Sequence, residues 1–241
     1  MADWNEIVDF VLRTADIILV VLDARNAEQS INREIFSKIK RFQKRYILVI
    51  NKCDLITKEE LRKIRLPNSI KISARDHVRT TMLIRKINQL AKGKEVTVGV
   101  VGFPNTGKST LINALKGRKS APTSSVSGYT RGVQKLRITK KIMMLDTPGV
   151  FAYKKKGGVE MTVIGAIDAE KFSDPEAAAV DLIEALDGKV EKFFGVEKGE
   201  DTFETIEAIA KKKNIIMKGG LPDSKRMAKD IIRMWQTGKI R

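Results

Sequence analysis

Apolar residues recur at helical spacing through Ile7, Phe10 and Val11, predicting a helix over residues 6–14, and an unbroken apolar run follows over residues 17–22. A short apolar run bounded by polar residues fits a strand buried on both faces of a parallel sheet. The residues at 23–26 close that run as a loop. Ser30 is then placed to cap a helix with Glu34 in its first turn, with Ile31, Ile35, Phe36 and Ile39 along one face. Lys38, Lys40, Arg41, Lys44 and Arg45 take the opposite face. A second apolar run, residues 46–50, leads into Asn51-Lys52-Cys53-Asp54. Thr57 caps a short charged helix to residue 65, and residues 68–73 predict a third strand ending in Ser73-Ala74-Arg75. Thr80 or Thr81 caps a helix through Leu83, Ile84, Ile87 and Leu90, and Gly93 separates it from a strand over residues 95–101. A helix follows over residues 111–115, then a long polar loop over 117–132. Residues 133–138 and 141–145 predict a strand pair running into Asp146-Thr147-Pro148-Gly149. Strands alternating with helices predict an α/β domain with a mostly parallel sheet and helices on both faces.

The pattern beyond this point is helical only. Asp174 and Pro175 fit the cap and first residue of a helix to 186, residues 201–212 form another, and residues 222–236 carry an apolar stripe of Met227, Ile231 and Met234. We therefore expect an α/β domain over residues 1–156 and a small all-α domain over 157–241. Residues 154–158, three lysines and two glycines, read as a linker, with an RNA contact as the alternative. Trp235 reads as core, with a base-stacking platform as its alternative.

Chemistry enters at residues 102–110, GFPNTGKST, between a strand and a helix. In the pattern G-x-x-x-x-G-K-[ST], Gly102 and Gly107 let backbone amides close around phosphate oxygens, Lys108 reaches the β- and γ-phosphates and Ser109 a magnesium ion. The helix N-terminus adds its own partial positive charge. Asn51-Lys52-Cys53-Asp54 supplies a second signal. Asp54 can accept from the ring N–H and exocyclic amine of guanine, Asn51 can serve the opposite edge, and Lys52 can lay its stem along the ring and tie back to the glycine loop. Adenine would leave such groups unpaired at about 1–3 kcal/mol each. The small residues Ser73 and Ala74 let backbone amides approach a base carbonyl. Cys53 packs, and the single histidine, His77, is expected to be exposed and idle.

Composition sets the class. The 241 residues are 42% hydrophobic and 31% charged, enough for one sizeable α/β core and a smaller second domain. No apolar run approaches a membrane span, the first residues lack signal-peptide features, and one cysteine forms neither an internal disulfide nor a metal cluster. A reducing cytoplasm and no membrane partner are the expectation. The net charge of +17 is uneven: residues 1–150 hold 29 basic and 13 acidic side chains, residues 157–204 hold 4 and 13, and residues 205–241 hold 10 and 3. A bound nucleotide offsets only a few of these charges, so a polyanionic partner is the natural reading, against a solvated surface. Lys225, Arg226, Lys229 and Arg233 on the last helix are the expected RNA contact.

Taken together the motifs resemble those of the translation-factor-type GTPases, but in another order, with Asn51-Lys52-Cys53-Asp54 and Ser73-Ala74-Arg75 ahead of the glycine loop. A closed domain with neighbouring ends can be reopened elsewhere and still fold. With Gly165-Ala166-Ile167, residues 217–221 (MKGGL) and residues 231–239 (IIRMWQTGK), the chain resembles the YlqF family of circularly permuted GTPases, also called ribosome biogenesis GTPase A. The resemblance implies that Pro104, Asn105, Thr106, Gly107, Lys108, Ser109 and Thr110 hold the phosphates of GTP or GDP, that Asn51, Lys52 and Asp54 read guanine, and that Ser73, Ala74 and Arg75 support the base. It further implies that Thr130 ligates magnesium when the γ-phosphate is present, that Asp146 holds the ion through water, and that the Gly149 amide touches the γ-phosphate. Asn105 matches the residue that places a potassium ion in cation-dependent relatives, and Lys108, Asn105, Thr130 and Gly149 are assigned to the reaction itself. Val150 stands where Ras-like enzymes orient water with glutamine, so slow intrinsic hydrolysis is expected, stimulated by potassium and the ribosomal subunit. No catalytic histidine can be transferred, because the chain opens on Met1-Ala2-Asp3-Trp4. The implied role is assembly of the large ribosomal subunit through nucleotide-dependent rRNA binding, by a monomer. The alternatives are a nucleotide-gated RNA-binding protein without turnover and a permuted GTPase acting on another RNA.

Overall fold

The alternating pattern becomes two compact units, Met1–Lys154 and Lys155–Arg241, in a computed structural model that describes residues 4–116, 133–146 and 159–241. In the first unit the order is α1 (Trp4–Thr14), β1 (Ile17–Asp23), α2 (Arg33–Arg41), β2 (Arg45–Asn51), α3 (Lys58–Lys63), β3 (Ser69–Lys71), α4 (Thr80–Ala91), β4 (Val96–Val101), α5 (Lys108–Lys116), β5 (Gln134–Arg137) and β6 (Ile142–Asp146). The six strands form one sheet in the order β3-β2-β1-β4-β6-β5. Every neighbouring pair is parallel except β5 with β6, whose short connection permits only an antiparallel return.

The period of two along each strand divides the core between the two faces. Ile17, Leu19 and Val21 of β1 join Ile47, Val49, Val98 and Val100 against α4 and α5, through Leu83, Ile87, Leu111 and Leu115. Ile18, Val20 and Leu22 join Leu48 and Ile50 against α1 and α2, through Val11, Leu12, Ile35 and Ile39. Each buried aliphatic side chain contributes about 1.5–3 kcal/mol, so a one-residue slip of β1 would exchange its two apolar sets between faces and is strongly disfavoured.

The sheet also fixes where chemistry can occur. From β1 the chain lays β2 and β3 outward on one side, then returns to lay β4 against the other edge of β1. Asp23 lies opposite Asn51, Val20 opposite Val101 and Val100 opposite Asp146, so the carboxyl ends of β2, β1, β4 and β6 open on one crevice. Open α/β sheets bind ligands at such a switch point.

Several local expectations differ from the structure. Asn32, not Ser30, caps α2, its side chain accepting from the amides of Glu34 and Ile35, while the buried Ser30 hydroxyl donates to Asn26 O. Neither Thr80 nor Thr81 caps α4. Arg79 precedes it in the left-handed region at φ +59°, because an antiparallel bridge between Ser73 and Val78 closes the preceding loop and sets where the helix starts. The third strand keeps only three residues. Thr57 caps α3 as expected, in a capping box with Glu60.

The second unit comprises α6 (Val159–Val163), α7 (Pro175–Leu186), α8 (Lys189–Phe194), α9 (Thr202–Lys212) and α10 (Ser224–Thr237). Asp174, Asp201 and Asp223 each accept a backbone amide at the start of α7, α9 and α10. Leu182, Ile183, Val190, Ile206, Ile209, Met227, Ile231 and Trp235 form the core, and Trp235 donates its indole N–H to Val163 O at 2.7 Å. The short helices α6 and α8 have no counterpart in the sequence pattern. Among the described residues no helix is long and apolar enough to cross a membrane.

Candidate functional site

The glycine loop leaves β4 and passes directly over β1. A Cβ on Gly102, at φ +151°, would stand 2.4 Å from Val21 O, and one on Gly107, at φ +89°, would stand 2.4 Å from Asn51 Nδ2. A side chain at either position would displace backbone or a buried amide. Thr106 is wholly buried and donates its hydroxyl to Phe103 O at 2.8 Å, so its side chain locks the loop from inside. Pro104 is half-buried, while Asn105, Ser109 and Thr110 are exposed. Leu111 N donates to Gly107 O, the first bond of α5, and helix geometry leaves the amides before it without intrahelical partners, at the positive end of the helix. Lys108 is 6% exposed, donates from Nζ to Gly102 O at 3.0 Å and Phe103 O at 2.8 Å, and is pushed down to about 8 by burial, against the pull of Asp146.

Asn51 connects this loop to the second motif. It is 2% exposed, donates from Nδ2 to Thr106 O at 2.9 Å, and accepts at Oδ1 from Ala74 N at 3.0 Å. One amide thus braces β2, the glycine loop and the turn after β3. The Ala74 amide, expected to approach a base carbonyl, is directed at Asn51. Asp54 is held beside it, accepting at Oδ1 from the Ser73 hydroxyl at 2.6 Å and pairing at Oδ2 with Arg75 Nη2 at 2.9 Å. Cys53 donates to Ile50 O, and burial pushes its thiol up to about 11, as a packed and unreactive cysteine requires. His77 is exposed in the turn before α4.

Lys52 passes the glycine loop, its Cε 4.0 Å from where a Cβ on Gly107 would stand, and reaches the end of β1. Its Nζ pairs with Asp23 Oδ2 at 2.9 Å, and Asp23 is 1% exposed at the end of β1. Arg25 grips the same carboxylate, Nε to Oδ1 at 3.1 Å and Nη2 to Oδ2 at 2.8 Å. Burial alone would raise the Asp23 carboxyl; Arg25 and then Lys52 outweigh it and hold the group below its ordinary value. Reading residues 23–26 as a plain closing loop missed this residue. A carboxylate ending a fully buried strand two positions before an arginine was the available signal.

A magnesium ion, implied by the family, fits the donor set at the end of β6. Asp146 has a buried Oδ1 with no hydrogen-bond partner among the described residues, burial raises its carboxyl against the pull of Lys108, and hard cations take oxygen donors of this kind. The Ser109 hydroxyl opens α5. Among the described residues no three His, Cys, Asp or Glu side chains converge, so an ion here would draw on Asp146, Ser109 and phosphate oxygens. Thr130, Gly149, Val150, the loop 117–132 and the linker 154–158 lie outside the described residues.

Comparison with known proteins agrees with this geometry. The family described as RsgA GTPase matches residues 8–155, and the family described as 50S ribosome-binding GTPase matches residues 97–217. The chain is 38% identical over 246 residues to a GTP-binding protein of Methanocaldococcus jannaschii, covering 98% of this chain and 65% of that one. It is 32% identical to nucleolar GTP-binding protein 2 of Pneumocystis carinii, covering 98% and 52%. It therefore spans between half and two thirds of the length of these relatives. GNP-bound YlqF from T. maritima superposes with a TM-score of 0.68 at 25% identity, over 98% of this chain and 94% of that one. With the guanine-type motif ahead of the glycine loop in sequence and beside it in space, the chain belongs to the circularly permuted GTPases of the YlqF family.

Proposed function

We propose that the protein binds GTP at this crevice, hydrolyses it slowly, and uses the cycle to gate binding of rRNA during assembly of the large ribosomal subunit. The observation that carries the reading is the Asn51 brace, because it joins a guanine-type motif and a phosphate-type loop into one site. Asp54, held by Ser73 and Arg75, reads the guanine edge, and Lys52 borders the ring. Phosphates take the amides that open α5, and the Lys108 ammonium leaves its loop carbonyls for the β- and γ-oxygens. Ser109, and Asp146 through water, would hold a magnesium ion, which when bound would draw charge from the phosphate oxygens. Thr130 and Gly149 would report the γ-phosphate, and Asn105 would help hold a potassium ion, which would supply positive charge beside the phosphates.

The ribosomal assignment draws on the family description and on the nucleolar relatives. It is tested by co-sedimentation with separated subunits, comparing GDP with a non-hydrolysable GTP analogue. Preference for the large subunit in the analogue state is expected, and equal binding in both states refutes the gating. Multiple-turnover phosphate release with subunits, potassium and magnesium present tests the enzyme reading. A rate no faster than buffer leaves a nucleotide-gated RNA-binding protein, and a rate unchanged by chelating magnesium removes the role of Asp146 and Ser109.

A further inference from the structure

We propose that Asp23 is a positioning residue for guanine recognition, acting through Lys52; the proposal rests on the nucleotide reading above. Lys52 occupies the left-handed region at φ +63° and ψ 33°, between the brace residue Asn51 and the reader Asp54. A non-glycine residue there carries backbone strain, which persists only where surrounding contacts hold it. The lysine stem is also long and flexible, with about 2 kcal/mol of rotamer entropy to lose on being fixed. Its ammonium is anchored 2.9 Å from Asp23 Oδ2, and its Cε lies 4.0 Å from where a Cβ on Gly107 would be. The stem therefore runs past the glycine loop in one defined course from the end of β2 to the end of β1.

Asp23 is suited to this work because β1 immobilises it. All seven residues of the strand are buried, Asp23 lies opposite Asn51 in the parallel register, and Arg25 donates to both carboxylate oxygens. The group so formed carries two cations around one anion. Neutralising the anion would leave Arg25 and Lys52 repelling each other in a buried setting and would free the lysine from the course a base must lie against. Preorganisation of this kind is spent in the bound state as affinity, so its loss is read in nucleotide binding.

The experiment is a double-mutant cycle on GDP affinity by calorimetry, using the full chain as wild type, D23N, K52M and D23N/K52M, with D23E as the conservative variant. D23N should weaken GDP by about ten- to a hundredfold, the range for loss of one charge-assisted contact. In the K52M background the same substitution should cost less than about threefold, because its route of action is already gone. D23E should recover most of the affinity. A residue with a merely structural role would give multiplied losses, and that result overturns the proposal, as does wild-type affinity in D23N. K52M keeps the apolar stem and removes only the ammonium; should D23N not fold, wild-type affinity in K52M overturns the proposal by itself. No GDP binding by the wild-type chain instead removes the nucleotide reading, and the role of Asp23 with it.

Discussion

Replacing Asn51 separates a brace from a base contact. Asn51→Ala deletes two buried hydrogen bonds and leaves the Thr106 carbonyl and the Ala74 amide behind. Each bond contributes about 0.5–1.5 kcal/mol net, and each buried group left unpaired costs about 1–3 kcal/mol before relaxation. With one of the two reached by water, a loss of about 2–4 kcal/mol is expected for the first unit, or roughly 4–16 °C in its melting temperature. Asn51→Asp divides the effect: it can still accept from Ala74 N, but it sets a carboxylate against the Thr106 carbonyl and should be at least as damaging. Thermal and urea unfolding followed by circular dichroism give the stability, and GDP calorimetry on the same samples gives the affinity. Both should fall together. If Asn51→Ala unfolds like the wild type while its GDP affinity drops a hundredfold, the amide touches the base and the brace is wrong.

Lys108→Met should stabilise the nucleotide-free protein at pH 7 by about 1–3 kcal/mol while abolishing GTP binding, since burial disfavours its ammonium. The sign follows from a folded value of about 8 below the ordinary 10.5: the unfolded chain holds the extra proton between those values, so this group's penalty is relieved as pH rises through that window, and denaturant titrations at pH 7 and 9.5 should show the advantage of Lys108→Met shrinking. Cys53, pushed up to about 11, should alkylate at pH 8 roughly a hundredfold more slowly than an unhindered cysteine, and reaction at the free-thiol rate would refute its packing. On α10, Lys229 and Arg233 are paired with Glu170, whereas Lys225 and Arg226 are exposed and have no ion pair among the described residues. Lys225→Ala with Arg226→Ala should reduce the slope of log affinity for rRNA against log salt by about 1.4–1.8, more than Lys229→Ala does, and an unchanged slope removes the α10 contact.

The sheet was legible because apolar runs and their spacing encode burial directly: residues 17–22, 46–50 and 95–101 lie within or overlap β1, β2 and β4. The glycine loop and residues 51–54 stood out by residue type and spacing, and the structure sets them side by side. What escaped the sequence depended on partners distant along the chain. Nothing near Asn51 says that its amide meets residues 74 and 106, or that Asp23 meets Lys52. Caps escaped for a different reason. Ser30 and Asn32 both suit a helix start, and the fold's placement of Ser30 against Asn26 O decides between them. The start of α4 was set by loop closure between Ser73 and Val78, which no local propensity contains.

The insertion of β4 between β1 and β6 has a consequence for a chain emerging from the ribosome. Residues 17–71 supply β1, β2 and β3 well before β4 exists, so residues 51–54 emerge ahead of the glycine loop. Until residues 96–101 appear, the amides and carbonyls along the β4-facing edge of β1 lack their intended mate and are open to any passing extended segment. Opening the ring of motifs at a new point changes the order in which a newborn polypeptide must build the crevice.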